Sequence, residues 1–83
     1  MANIALLSPM TPAERVISKF GSPDRVAQIL GLTVPRVRRW TFTEDRGGTD
    51  GRVPSKHQQA LLDHAREEGI DLRPDDFFEG ADA

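Results

Sequence analysis

Apolar side chains recur three and four positions apart in separate stretches of this chain, the spacing that gathers them on one face of a helix. Val16, Ile17 and Phe20 form the first such face. Val26, Ala27, Ile29 and Leu30 form a second, Val37 and Trp40 a third, and Ala60, Leu61, Leu62 and Ala65 a fourth. The residues between these faces agree with that reading. Thr11-Pro12-Ala13-Glu14 supplies an N-cap, a proline at the first helical position and a glutamate three after the cap, and Gly21 ends the first helix. Ser22-Pro23-Asp24 repeats this grammar for the second helix, which Gly31 stops. Thr33 caps the third, with Pro35 in its first turn, where backbone donors lack partners in any case. Ser55 and Gln58 make another cap of the same kind for the fourth helix, and Gly69 ends it. The pattern predicts an all-α fold of four to five helices.

Residues 43–52 carry three glycines and no periodicity. They predict a loop, or a small hairpin with residues 41–43 as one arm and 52–53 as the other. Ile70 and Leu72 return the chain to the core. Pro74, Asp75 and Asp76 open a last helical turn that docks Phe77 and Phe78. The domain is therefore expected at residues 11–78, preceded by a flexible arm at 1–10 and followed by a fraying tail at 79–83.

Eighty-three residues make one domain with a modest core. There is no cysteine, which excludes a disulfide scaffold and thiolate zinc sites and agrees with a reducing compartment. The apolar run Ile4, Ala5, Leu6 and Leu7 is too short to span a bilayer, and no Lys or Arg precedes Arg15. The expectation is a soluble, cytoplasmic, nucleoid-associated protein with no signal peptide and no membrane partner.

The formal net charge of −2 argues against nucleic acid until its distribution is considered. Charges cancel over residues 1–24. Residues 25–56 hold seven basic and three acidic residues, a net of +4, and residues 57–83 hold two basic and eight acidic, a net of −6. A polyanion responds to the local field of the basic middle rather than to the total.

That basic middle holds a motif. Ala27 is small where a third helix must cross the second, and Gly31 lies four residues on, where the chain reverses. Leu32 plugs the gap between helices, and Val37 and Trp40 anchor the third helix on the core. The segment PDRVAQILGLTVPRVRRW resembles the helix-turn-helix of Cro-like and repressor-like phage and bacterial regulators, with the likeness covering roughly residues 11–70. The resemblance implies a lambda-repressor-like domain with its helix-turn-helix at about 23–40. It implies double-stranded DNA as the partner, entered through the major groove by the third helix. The base-contacting positions carried over are Val34, Pro35, Arg38 and Arg39, with Arg36 beside them at the backbone. Val34 and Pro35 offer no side-chain hydrogen bond, so base reading falls on the arginines, whose planar fork matches O6 and N7 of guanine.

Phosphate contacts are expected around this helix. Ser22 and Thr33 stand at helix starts, where exposed amides favour anions. Arg46, Gly47, Gly48 and Arg52 form a basic, glycine-rich loop whose amides could approach phosphate. Lys56, His57 and Gln58 open the fourth helix.

Other signals fail. GGTDGR lacks the spacing and the Gly-Lys-Ser/Thr ending of a P-loop. His57 and His64 lack a third ligand. Asp75 and Asp76 diverge as neighbours and read as helix-start charges. No triad pattern appears, and the chain is too small for a deep pocket. The expectation is no enzyme, no cofactor, no metal and no small-molecule substrate. A homodimer would use Phe77 and Phe78 or the arm. A second reading, from a different class, is a protein-interaction module or antitoxin on the same scaffold, whose acidic C-terminal third binds a basic partner.

Overall fold

A computed structural model describes residues 10–78. The arm expected at 1–10, apart from Met10, and the tail expected at 79–83 lie outside the described residues. The elements are α1 (Pro12–Phe20), α2 (Pro23–Leu30), α3 (Val34–Arg38) and α4 (Ser55–Glu68), with 3₁₀ turns at Arg39–Thr41, Glu44–Arg46 and Pro74–Phe77. The fold is all-α, with no strand among the described residues. None of these helices is long and apolar enough to cross a membrane.

Local chemistry sets the first three helix starts. The Thr11 hydroxyl accepts from the Glu14 amide at 3.2 Å, and the Glu14 carboxylate accepts from the Thr11 amide at 3.0 Å. The Ser22 and Thr33 hydroxyls accept from the amides of Arg25 and Arg36. Each such cap stabilises its helix by about 1 kcal/mol. Gly31 ends α2 in the left-handed region at φ 70°, ψ 30°, and the Leu32 amide donates back to the Ala27 carbonyl at 2.9 Å. With no Cβ, glycine adopts this conformation at little cost, so the chain turns from α2 into α3 within three residues.

The buried core draws on every helix: Ala13, Val16 and Phe20 from α1, Val26 and Ala27 from α2, Val37 from α3, and Leu61 and Ala65 from α4. Trp40, Val53 and Phe77 complete it, while Ile70, Leu72 and Val34 pack partly buried against it.

Several expectations are corrected. Ser55 does not cap α4: it is already helical, Pro54 holds the extended cap position, and the Gln58 amide instead donates to the Val53 carbonyl at 3.0 Å. Ala60 is exposed, because Leu61 and Ala65 take the core-facing row of α4. Phe77 is buried, whereas Phe78 is 60% exposed and does not dock as expected.

Residues 43–52 form no hairpin. They fold back as turns onto the carbonyls that end α3. The amides of Thr49, Asp50 and Gly51 donate to the carbonyls of Arg39, Phe42 and Trp40, and the Gly51 carbonyl accepts from the Ala13 amide at 2.8 Å. The loop is thus hydrogen-bonded to both α1 and the end of α3.

Asp76 is not merely a helix-start charge. It is buried, accepts from Lys19 Nζ at 2.8 Å and from the Arg73 amide at 2.9 Å, and lies 3.6 Å from Arg15 Nε. Burial pushes its carboxyl up, but the Lys19 hydrogen bond, the Arg73 amide and the charges of Lys19 and Arg15 outweigh burial and hold it below the ordinary 3.8. A depressed carboxyl contributes stability that is present above 3.8 and is lost as pH falls through the folded-state value. Asp76→Asn is therefore expected to cost about 1.5–3 kcal/mol at pH 7, the range for hydrogen bonds to a charged group. Urea unfolding should show that deficit narrowing below about pH 4, where the parent loses the same charge. A deficit constant down to pH 2.5 would assign the role of Asp76 to shape rather than charge.

Candidate nucleic-acid interface

The eleven lysines and arginines divide into two groups. Arg15 and Lys19 pair with Asp76, Arg25 with Glu68, Arg66 with Asp63, and Arg73 with Asp71. Arg36, Arg38, Arg39, Arg46, Arg52 and Lys56 make no ion pair among the described residues, and all six are exposed. The paired cations flank the sequence at both ends. The unpaired ones span α3, the loop and the start of α4, where they outnumber the exposed carboxylates of Glu44, Asp45 and Asp50 by six to three.

Local folding places them. Val37 and Trp40, three apart, are buried, and this turns Arg36, Arg38 and Arg39 outward. Val34 is half-buried against the core, and Pro35 is exposed. Arg38 lies one helical turn beyond Val34, on the same row. Arg36 and Arg39, three apart, share another row and face Lys56 and His57 across a groove of about 200 Å³. The structure thus groups Arg39 with Arg36, not with Arg38.

The His57 ring stacks on Trp40, with centroids 5.8 Å apart and planes 29° apart. Its pKa is held below 6.5, first by burial and then by the charges of Lys56 and Arg36. The Arg46 guanidinium lies 4.8 Å over the Phe42 ring, a cation–π contact that leaves its charge open to an anion.

A second, open groove of about 490 Å³ borders the start of α3, lined by Ser22, Gln28 and Val34 among others. The Ser22 and Thr33 hydroxyls cap their helices as acceptors, which leaves each hydroxyl hydrogen free to donate. Asp24 lines the same groove and places a carboxylate near the expected anion position at Ser22. Gln28, on the exposed side of α2, was not among the expected contacts. Its place opposite Val26 and Ala27 on the helical wheel is the signal that reveals it.

Other expected contacts are displaced. The Gly47 and Gly48 amides donate to the carbonyls of Glu44 and Thr43, so neither is open to a phosphate. The Gln58 side chain is engaged with Val53. Arg52 and Gly48 line a third groove, of about 580 Å³, with Phe77 and Phe78, apart from the arginines of α3. Among the described residues no three His, Asp or Glu side chains gather to hold a metal ion.

No family model, curated protein or solved structure matches the chain.

Proposed function

We propose that this chain is a lambda-repressor-like helix-turn-helix domain that binds double-stranded DNA in the major groove and serves as a small transcription regulator of prophage or bacterial type, without enzymatic activity. The observation that carries the reading is the division of the cations: the six that lack a carboxylate partner among the described residues cluster on α3 and its flanks. A local excess of positive charge is the electrostatic footprint of a polyanion partner. The left-handed turn at Gly31, between two short helices packed through Val26, Ala27 and Val37, supports the helix-turn-helix assignment.

In this reading Arg38 addresses bases and Val34 offers a methyl contact to thymine, while Arg36, Arg39 and Lys56, which share one groove, grip phosphates. Single alanine variants titrated against selected and scrambled duplexes at several salt concentrations separate these roles. Loss of Arg38 is expected to cost about 1–3 kcal/mol on the selected duplex and to relax preference at one base pair. Loss of Arg36, Arg39 or Lys56 should weaken both duplexes alike and lower the log–log salt slope by about one unit. Arg52, in its separate groove, should matter least. Equal, sequence-independent losses at every position would leave a nonspecific binder.

The second reading, a protein-interaction module, is favoured by Phe78, which is 60% exposed beside the groove shared by Val53, Pro54 and Phe77. Unchanged DNA affinity in every arginine variant would move the assignment there.

A further inference from the structure

The groove between α3 and α4 has a composition that the general reading does not use. Arg36 and Arg39 form one wall, Lys56 and His57 the other, and Trp40 and Leu32 lie between them. No carboxylate lines it. The charged groups facing His57 are Arg36 from α3, Arg39 from the following 3₁₀ turn and Lys56 from α4. The α2–α3 turn contributes only Leu32, and the segment before α4 only Gly47, Thr49 and Pro54, all without charge. The other histidine, His64, is engaged elsewhere on α4, with Glu68 and with Arg25 of α2.

His57 is held but not satisfied. Stacking on Trp40 orients its ring, yet among the described residues neither ring nitrogen has a hydrogen-bond partner. The groove already concentrates three fixed positive charges, so a fourth is unfavourable there. An entering tetrahedral oxyanion reverses that balance, because it neutralises the arginines and the lysine and supplies an oxygen to accept from an imidazolium N–H.

Resting on the DNA-binding reading, we propose that this groove is a single-phosphate site in which His57 takes up a proton as the phosphate enters. The direction of His57, held below 6.5 by burial and by the charges of Lys56 and Arg36, agrees. Binding then raises its affinity for the proton, and by linkage the proton raises affinity for the phosphate by the same factor. Affinity should climb as pH falls, by at most about tenfold per pH unit for one proton. It should level off above the His57 value in the complex and below that in the free protein.

Two sources can supply the anion, a duplex backbone or a free oxyanion, and the test separates them. Duplex affinity is measured from pH 5.5 to 8 for the parent, His57→Phe and His57→Gln. The first variant keeps the stacked ring and the second keeps polarity, so the loss of either fold leaves the other informative. In parallel, the His57 ring resonances and the emission of Trp40, the single indole of the chain, are followed through the same range. These titrations use the protein alone, with duplex, and with sulfate, whose charge is constant there.

The expected result is a duplex affinity that rises as pH falls in the parent and is flattened in both variants, with His57 titrating at higher pH in the complex. Duplex binding with the same pH slope in parent and variants would overturn the proton coupling while leaving the DNA reading intact. No duplex binding at any pH, with His57 still shifted by sulfate, would overturn the DNA reading and support an anion site for a free ligand. No response of His57 to duplex or sulfate would overturn the site itself.

Discussion

Trp40→Ala is expected to remove about 3–5 kcal/mol of unfolding free energy, the range for truncating a buried aromatic. A chain of 83 residues holds only about 4–12 kcal/mol in total, so this variant should sit at or near the edge of folding. Trp40 is 4% exposed and lies in the cluster to which all four helices contribute. Its backbone is equally engaged: its carbonyl accepts from the Gly51 amide at 2.8 Å and from the Thr49 hydroxyl at 3.1 Å. Truncation would open a cavity where α3 and the loop meet and would remove the ring on which His57 stacks. The chain has no tyrosine and no second tryptophan, so far-ultraviolet circular dichroism, not fluorescence, is the readout for the variant. Each kcal/mol shifts the midpoint by about 4–8 °C in a domain of this size, so a drop of tens of degrees is expected. Trp40→Phe should recover much of the loss, because a phenyl ring leaves a smaller cavity than alanine does. An alanine variant that melts with the parent would mean that α3 does not dock through Trp40.

The second large effect is expected at Gly48. An added Cβ there would lie 2.2 Å from the Phe42 carbonyl oxygen and 2.4 Å from that of Arg39. Both are backbone atoms, so no side-chain rotation relieves the clash. The same two carbonyls accept the amides of Asp50 and Thr49, and displacing them loosens the loop from the end of α3. Gly48→Ala is expected to cost about 3 kcal/mol, the upper part of the overpacking range. Gly47→Ala is the control. Its Cβ would meet nothing within 4 Å, and its cost is that of a left-handed residue at φ 82°, about 1–2 kcal/mol. Denaturant titrations of the two variants should therefore rank Gly48→Ala well below Gly47→Ala. Equal stability with a selective loss of duplex binding at position 48 would restore the phosphate-contacting role first expected of that amide.

The parts of the fold that were legible in the chain are those whose causes lie within a few residues. Thr11 with Glu14, Ser22 with Arg25 and Thr33 with Arg36 are contacts three apart, and each residue type announces its cap. Gly31 is readable for the same reason, since its handedness is a property of one residue. Ser55 misled because its spacing to Gln58 imitates a cap, while the path of Val53 and Pro54 into the core starts the helix one residue earlier than expected. Phe77 and Phe78 were indistinguishable as neighbours, and only the docking of the last turn on α1 buries one and exposes the other.

The candidate site shows the same division. By itself the sequence determined the helical elements, the residues that turn α2 into α3, and the outward direction of Arg36, Arg38 and Arg39, because the 3.6-residue period fixes direction once Val37 and Trp40 face inward. It also placed a basic middle before an acidic end. Tertiary structure alone decided that Arg15, Lys19 and Arg25 are neutralised, whereas Arg66 and Arg73 pair with neighbours in sequence. Asp76 lies 57 residues from Lys19, and Glu68 lies 43 from Arg25, so these pairings exist only after α1 meets the last turn and α2 meets α4. It likewise decided that the loop spends the Gly47 and Gly48 amides on its own carbonyls and that Lys56 and His57 face Arg36 and Arg39 across one groove. The reason is physical: caps and turns are short-range and satisfied locally, whereas charge pairing and groove shape depend on which distant surfaces the burial of a shared core brings together.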